Sequence, residues 1–205
     1  MTSIYQNRIK KIILIIIFFH NIFIFLSQII GINNMNKCIF LDRDGVLNHE
    51  IGGYVYKPQD LSFTQNMGQA LQLFKNAGFL LIVVTNQAGI AKGLYSREDV
   101  QHIHALIQAE CGYIIDDLYF SPHHPDYNSQ TLLRKPSSLM LEKAMAKYQI
   151  DSQQSWMIGD RPRDIEAGQK VGLRTVHIAE NEHNPTATFC SKNLLDAAQL
   201  VLEQS

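Results

Sequence analysis

Short apolar runs alternate with amphipathic helical segments along most of this 205-residue chain, and this alternation constrains the fold more than any other feature. The apolar runs, which predict strands, are residues 37–41, 79–84, 114–120, 156–160 and 174–178. Apolar residues at helical spacing predict helices at residues 66–76, 96–107, 139–148, 164–171 and 193–202. Strands that alternate with helices at this spacing form a parallel sheet with right-handed crossovers. We therefore predict an α/β fold of three Rossmann-like layers, with helices on both faces of a parallel sheet and no large cap domain.

Polar side chains follow one predicted strand after another. They are Asp42 and Asp44, Thr85 and Asn86, Lys135, and Asp160. The carboxyl ends of parallel strands meet at one edge of an open sheet, which is where such folds bind ligands. Any one of these residues alone is equally well explained as a solvated loop residue. Together they predict a single polar pocket at that edge.

The segment after the first predicted strand carries the most specific chemistry. Asp42 and Asp44 lie two positions apart and are followed by Gly45, which permits a sharp turn. Two converging carboxylates suit a hard cation, or a nucleophile paired with a proton donor. A calcium loop also begins with Asp-x-Asp, but it continues with further acidic ligands, whereas residues 46–48 here are Val-Leu-Asn. That excludes the calcium loop and leaves a solvated turn as the alternative.

Charge and cysteine usage narrow the class of protein. The formal net charge is −1 and there is no long run of one sign, which argues against an electrostatic nucleic-acid binder. Cys38, Cys111 and Cys190 have no paired spacing, so we expect free thiols in a reducing compartment.

The first 34 residues differ from the rest of the chain. Residues 12–30 are predominantly apolar and follow three basic residues, a pattern typical of a membrane-spanning anchor. The alternative is translated upstream sequence before a natural start at Met35, and we favour it because the domain needs nothing from the extension. We thus predict an extension over residues 1–34 and a domain over residues 35–205. The expected location is the cytoplasm, or the membrane if residues 12–30 are a real anchor.

Four motifs in order resemble a known family. The chain reads FLDRDGVLN at residues 40–48, TNQAGIAKG at 85–93, RKP at 134–136 and GDRPRD at 159–164. This order is similar to the haloacid dehalogenase-type phosphatases. Together with PHHP at residues 122–125, it looks like the D-glycero-D-manno-heptose 1,7-bisphosphate 7-phosphatases and their relatives, the histidinol-phosphate phosphatases. The resemblance covers Met35 to about Leu202.

The resemblance implies a role for each residue of the pocket. Asp42 would be the nucleophile that forms an aspartyl-phosphate, and Asp44 the proton donor and then the base that activates water. Mg²⁺ would be held by Asp42, the backbone carbonyl of Asp44, and Asp160. Lys135 would hold Asp42 and the phosphoryl charge, and Thr85 would donate a hydrogen bond to a phosphoryl oxygen.

The resemblance also implies a set of substrate-binding residues. They are Glu50, Gly53, Tyr54, Asn86, Gln87, Ala88, Arg134 and Arg161. Arg134 would grip a second phosphate as a fork; the alternative is a solvated loop charge. Asp164 would orient Lys135 or a metal-bound water, with a helix N-cap as its alternative role.

One departure concerns zinc. The relatives commonly hold a structural zinc with a Cys-x-His pair and a Cys-x-Cys pair, and the corresponding positions here are Ser121, His123, Thr131 and Leu133. One imidazole cannot make a closed tetrahedral site, so zinc is not expected.

The expected function is a magnesium-dependent phosphatase that removes the 7-phosphate of D-glycero-D-manno-heptose 1,7-bisphosphate for a surface-glycan precursor. Histidinol-phosphate phosphatase and a non-catalytic phosphate-ester-binding protein are the alternatives. The only expected partner is the small sugar phosphate: no nucleic acid, a membrane only through residues 12–30, and a monomeric state.

Overall fold

The structure is a computed structural model that describes residues 35–179 and 184–204. Its strands are β1 (Cys38–Leu41), β2 (Leu80–Asn86), β3 (Asp117–Ser121), β4 (Trp156–Gly159), β5 (Arg174–Ile178) and β6 (Phe189–Ser191). Its α-helices are α1 (Met67–Asn76), α2 (Arg97–Glu110), α3 (Leu139–Tyr148), α4 (Pro162–Lys170) and α5 (Leu194–Glu203). Short 3₁₀ turns lie at Pro58–Asp60 and Ser152–Gln154.

The six strands form one sheet in the order β3-β2-β1-β4-β5-β6, and every neighbouring pair is parallel. All four residues of β1 are buried, as expected of a central strand covered on both faces. The predicted parallel α/β sheet is therefore confirmed. Its order reverses at β1, so the loops after β1, β2 and β4 open on one crevice.

Alternate side chains of the sheet pack against different helices. Ile39 and Leu41 of β1 belong to a core with buried residues of α1, α2 and α5. Phe40, which points to the opposite face, belongs to a second core with Met140 of α3 and Ala167 of α4. The period of two along each strand thus divides the helices into two layers, which confirms the three-layer prediction.

Some boundaries differ from the prediction. Strand β2 continues through Asn86, so Thr85 is the second-last residue of a strand rather than part of a loop. Strand β3 begins at Asp117 instead of residue 114, because the Gln108 side chain pairs with the backbone of Ile115 and keeps it out of the sheet. The edge strand β6 was not predicted.

The predicted extension, residues 1–34, lies outside the described residues, and so does the candidate anchor at residues 12–30. The domain boundary at residue 35 therefore stays a prediction. Within the described part of the chain, no helix combines the length and the apolar character that crossing a bilayer requires.

Candidate active site

Asp42 lies directly after β1 and is only 3% exposed. Its backbone N–H donates to the Ile158 carbonyl of β4 at 2.9 Å, which fixes where the chain leaves the sheet. One carboxylate oxygen, Oδ1, accepts from the Arg43 backbone N–H at 2.7 Å and contacts Lys135 Nζ at 3.0 Å. Burial and the charge of Asp164 raise the pKa of Asp42, and Lys135 opposes that rise. The arrangement holds one oxygen of the carboxylate and points the group into the crevice.

Lys135 is a buried cation, 1% exposed, at the centre of the site. Its Nζ lies 2.8 Å from Asp164 Oδ1 and 3.0 Å from Asp42 Oδ1, and it donates to the Val84 carbonyl at 2.7 Å. Burial lowers the pKa of Lys135, but the attraction of the two carboxylates is stronger and the net shift is upward. The lysine therefore stays charged and keeps two acidic groups together.

Asp160, the residue after β4, completes a group of three carboxylates. One oxygen from each of Asp42, Asp160 and Asp164 lies within 4.8 Å of the others. Burial and the charges of Asp42 and Asp164 raise the pKa of Asp160 to about 7. Its Oδ1 is buried and has no hydrogen-bond partner among the described residues, while Oδ2 contacts Arg161 Nε at 3.1 Å. An unpartnered carboxylate oxygen beside two further carboxylates is the donor set that a divalent cation requires.

Asp44 is oriented by several donors at once. The Arg43 guanidinium donates to it from Nε at 3.1 Å and from NH2 at 2.8 Å, and Asn48 Nδ2 donates at 3.1 Å. Arg43 is itself 1% exposed and also donates to the Val55 carbonyl at 2.9 Å. The Asp44 side chain is 28% exposed, so it faces the crevice from a fixed position.

Gln87 connects Asp44 to Thr85. Its Nε2 donates to Asp44 Oδ2 at 3.1 Å and to Thr85 Oγ1 at 3.0 Å. The buried Tyr95 hydroxyl donates to Gln87 Oε1 at 2.8 Å, which fixes the direction of the amide. Because Thr85 Oγ1 accepts from Gln87, its own proton is free to be donated into the pocket. Gln87, predicted to bind substrate, thus orients Asp44 and Thr85, two of the predicted catalytic residues.

Asn86, also a predicted substrate-binding residue, holds the backbone of Lys135. Its Nδ2 donates to the Lys135 carbonyl and its Oδ1 accepts from the Lys135 N–H, both at 3.0 Å. Ala88 is buried and contributes only backbone polar groups. Both residues lie beside the site, and the predicted substrate contacts stay predictions.

The residues that sequence reasoning missed are Arg43 and Tyr95. Arg43 lies between the two aspartates of the motif. A basic residue at that position could have been predicted to orient one of the neighbouring carboxylates. Tyr95 gives no such signal, because its contact with Gln87 depends on how residues 88–95 fold back.

Comparison with known proteins identifies the family. A family model described as HAD-hydrolase-like matches residues 132–197. The chain is 39% identical over 180 residues to D-glycero-beta-D-manno-heptose-1,7-bisphosphate 7-phosphatase of Haemophilus influenzae, which covers 82% of this chain and 97% of that protein. The chain belongs to the D-glycero-D-manno-heptose-1,7-bisphosphate 7-phosphatase family. The sequence resemblance is therefore confirmed.

Members of the family with either anomer in their name are similar to this chain. The alpha-anomer 7-phosphatase of Photorhabdus laumondii is 35% identical over 181 residues, covering 82% of this chain and 98% of that protein. A crystal structure of D,D-heptose 1,7-bisphosphate phosphatase from B. bronchiseptica, complexed with magnesium and phosphate, matches with a TM-score of 0.75 and 25% identity. That match covers 82% of this chain and 99% of the crystallised one.

The rim of the site is formed by three loops, at residues 49–57, 88–95 and 121–134. Lys92 Nζ lies 5.4 Å from the Tyr54 ring centre and 5.1 Å from that of Tyr127, so one lysine connects all three loops. Arg134 donates weakly to the His123 carbonyl at 3.4 Å. Burial and the neighbouring Arg163 lower the pKa of Arg134, which marks a patch of crowded positive charge.

The remaining predicted substrate-binding residues are Glu50, Gly53 and Arg161. Glu50 and Arg161 form an ion pair with each other. Gly53 is exposed and has open space around it. Both charged side chains are about half exposed and can exchange this contact for one with a ligand.

The loop in which family members commonly carry zinc ligands is held by other contacts here. His123 Nδ1 lies 3.2 Å from Asn128 Nδ2 and 3.3 Å from Ser129 Oγ. Over residues 35–179 and 184–204, the one cluster of three or more potential ligands is the acidic group at Asp160. The prediction that this chain binds no zinc remains a prediction.

Proposed function

We propose that this chain is a magnesium-dependent phosphatase that removes the 7-phosphate of D-glycero-D-manno-heptose 1,7-bisphosphate through an aspartyl-phosphate, in the biosynthesis of nucleotide-activated heptose. The observation that carries the proposal is the buried contact between Lys135 and Asp42, beside an Asp160 carboxylate oxygen, Oδ1, that has no hydrogen-bond partner among the described residues. Relatives that are 36% and 39% identical to this chain over the aligned residues carry the 7-phosphatase name.

The acidic group fits magnesium. Burial and neighbouring carboxylates raise the pKa values of Asp42 and Asp160, so ionising both costs free energy in the folded chain, and a cation between them would offset that cost. Asp164 is less available, since it is engaged by Lys135 and by the Arg161 N–H. Asp42, Asp160 and the Asp44 carbonyl would therefore hold the ion. When bound, Mg²⁺ supplies positive charge that offsets the phosphoryl oxygens.

The nucleophile is Asp42. Lys135 and the Arg43 N–H both hold Oδ1, and over residues 35–179 and 184–204 no hydrogen bond reaches Oδ2, which is free to attack phosphorus. Attack forms the Asp42–phosphorus bond as the bond to the sugar oxygen breaks. Thr85 donates its hydroxyl proton to a phosphoryl oxygen, and Lys135 balances the charge of the transferred group.

Asp44 moves the protons. Donating a proton to the departing sugar oxygen makes the leaving group an alcohol, and the carboxylate that results then takes a proton from the water that hydrolyses the aspartyl-phosphate. Arg43 and Gln87 hold the carboxylate in one orientation for both steps. Both proton transfers need the Asp44 carboxylate in the same position. This explains why hydrogen bonds from several donors converge on that side chain.

The second phosphate has a plausible binding surface at the rim. Arg134, Arg163 and Lys92 concentrate positive charge where the three loops meet. A cavity of about 390 Å³ opens beside Arg134 and Lys135. A bisphosphate that places one phosphate at Asp42 can reach this surface with the other, whereas Glu50 and Arg161 would contact the sugar hydroxyls between them.

We also propose that residues 35–205 form the catalytic domain, that it acts on a small sugar phosphate as a monomer, and that it works in the cytoplasm. The three free cysteines, Cys38, Cys111 and Cys190, fit a reducing compartment.

The test is a phosphate-release screen with the purified full-length chain. Substrates are both anomers of the heptose 1,7-bisphosphate, fructose 1,6-bisphosphate and histidinol phosphate, each with and without Mg²⁺, and Asp42→Asn is the control. We expect Mg²⁺-dependent release, highest with a heptose bisphosphate and absent in the variant. Preferred turnover of histidinol phosphate would replace the proposed substrate, and turnover that survives Asp42→Asn would reject the mechanism.

A further inference from the structure

A buried histidine on β5 contacts the loop that carries Asp160. His177 is 2% exposed and lies opposite Gly159 in the register of β4 and β5. Its Nε2 is 3.0 Å from the backbone carbonyl of Asp160. A carbonyl oxygen can only accept, so Nε2 carries a proton and donates it to this hydrogen bond.

A histidine at position 177 destabilises the core in which it is buried. Nδ1 is buried and has no hydrogen-bond partner in the described part of the chain. A buried polar atom without a partner costs free energy that an apolar side chain of similar size would not. The packing of β5 therefore does not explain why position 177 is a histidine. The hydrogen bond from Nε2 to the Asp160 carbonyl does explain it.

The contact with His177 holds the carbonyl of the peptide between Asp160 and Arg161, and the N–H of that peptide is held as well. The Asp160 carbonyl accepts from His177, and the N–H of the same peptide, on Arg161, donates to Asp164 Oδ2 at 3.0 Å. A planar peptide held at both its oxygen and its nitrogen cannot rotate. The Asp160 Cα lies in the plane of this peptide and is placed with it, so the carboxylate extends from a fixed position beside Asp42.

The side chain of Asp160 has little else to orient it. Among the described residues, Oδ1 has no hydrogen-bond partner, and the ion pair of Oδ2 is with Arg161, whose side chain is 46% exposed. A half-exposed arginine is a weak restraint. The peptide unit is the rigid part of the arrangement.

We propose that His177 is a positioning residue that holds Asp160 ready to bind magnesium, through its hydrogen bond to the Asp160 carbonyl. The inference rests on the proposed magnesium-dependent activity and adds a residue outside the phosphatase motifs. Groups that orient metal ligands typically change metal affinity or activity by about 10- to 100-fold when removed.

Two substitutions separate positioning from packing. His177→Gln keeps an N–H donor at the reach of Nε2, and His177→Leu fills the space without a donor. Val176→Ala is the control. Val176 directly precedes His177 in β5 and is buried in the core that contains Ile39 and Leu41. Each full-length protein is titrated with MgCl₂ by calorimetry, its melting temperature is measured with and without Mg²⁺, and turnover is measured at saturating Mg²⁺.

We expect His177→Leu to weaken Mg²⁺ binding by about 10-fold or more in a protein that still folds. His177→Gln should bind Mg²⁺ nearly as the wild type does. Val176→Ala should melt at a lower temperature with unchanged Mg²⁺ affinity. If His177→Leu folds poorly, His177→Phe provides a second donor-free side chain.

The inference is overturned if His177→Leu binds Mg²⁺ as the wild type does, if Gln and Leu weaken binding equally, or if neither donor-free variant folds. If the wild type shows Mg²⁺-dependent turnover and the variants follow any of these patterns, the proposed function stands alone. If the wild type neither binds Mg²⁺ nor needs it for turnover, both fall.

Discussion

The Asp160 carboxylate occupies the space in which a side chain at Gly45 would lie: a Cβ at Gly45 would be 2.3 Å from Asp160 Oδ2. Gly45 also has a φ of +82°, a conformation that costs little only for glycine. The turn after Asp42 and the loop after β4 that carries Asp160 therefore meet because position 45 has no side chain. This contact connects the two acidic motifs of the sequence, which are more than a hundred residues apart.

Replacing Gly45 should separate the two motifs. We expect Gly45→Ala to displace Asp160, weaken Mg²⁺ binding and lower kcat by about 100-fold or more, the usual effect of displacing a catalytic group by an ångström. Calorimetric titration with MgCl₂ and steady-state kinetics measure both effects. The control is Gly68→Ala, since no atom lies within 4 Å of a Cβ there and α1 should become slightly more stable. Equal kinetics for the two variants would contradict the account.

Tyr95 should act on catalysis through Gln87. Removing the hydroxyl in Tyr95→Phe leaves Gln87 Oε1 buried without its donor, at a cost of about 1–3 kcal/mol. The amide is then free to rotate, and the hydrogen bonds to Asp44 and Thr85 weaken. We expect kcat to fall several-fold with little change in KM. A loss of stability without a fall in kcat would show that Tyr95 serves packing alone.

Lys135 should be required for folding as well as for turnover. Lys135→Met removes the cation and leaves Asp42 and Asp164 buried together, which should cost about 3–5 kcal/mol in the free energy of unfolding near pH 7. Urea denaturation measures the loss, and it should shrink at lower pH as the carboxylates protonate. The double variant Lys135→Met/Asp164→Asn should regain part of the stability but none of the activity. If the single variant is as stable as the wild type, the carboxylates are not both charged.

The metal-free protein should lose stability as the pH rises towards neutrality. The pKa of Asp160 is raised from 3.8 to about 7, so the folded state binds more protons than the unfolded state between these values. Stability from this group is present at low pH and is lost as the pH rises through about 7. Mg²⁺ binds the ionised form and should therefore raise the melting temperature more at pH 8 than at pH 6. Melting curves at both pH values, with MgCl₂ and with EDTA, test the sign; a larger Mg²⁺ effect at pH 6 would contradict it.

Much of the fold was predictable from local patterns. The bounds of α3 and β5 are as predicted: apolar residues recur at helical spacing along α3, and Val176 and Ile178 of β5 alternate with polar residues. Strand β3 was predicted to begin three residues too early, since periodicity cannot distinguish a strand from an apolar loop that is buried. Ile115 is 6% exposed yet lies outside the sheet. Strand β6 has three residues, too few for a period of two to be recognised.

The residues of the candidate site could be predicted where a sequence motif contains the side chains that the proposed reaction requires. Asp42, Lys135 and Asp160 meet as the strand order requires, since each follows a strand or loop at one edge of the sheet. The supporting contacts of Gln87 and His177 were not predictable. Each contact depends on distances between segments that are far apart in the chain. From the sequence alone, a glutamine in a loop or a histidine in a strand is interpreted as an ordinary loop or core residue.

The most direct test of the account is the covalent state of Asp42 during turnover. The full-length chain is mixed with heptose 1,7-bisphosphate and Mg²⁺, quenched in acid within the first turnover, digested and analysed by mass spectrometry. The account predicts one added phosphoryl group on the peptide that carries Asp42, present with Mg²⁺ and absent with EDTA or in Asp42→Asn. Phosphate release without any phosphorylated Asp42, or with the phosphoryl group on another residue, would contradict it.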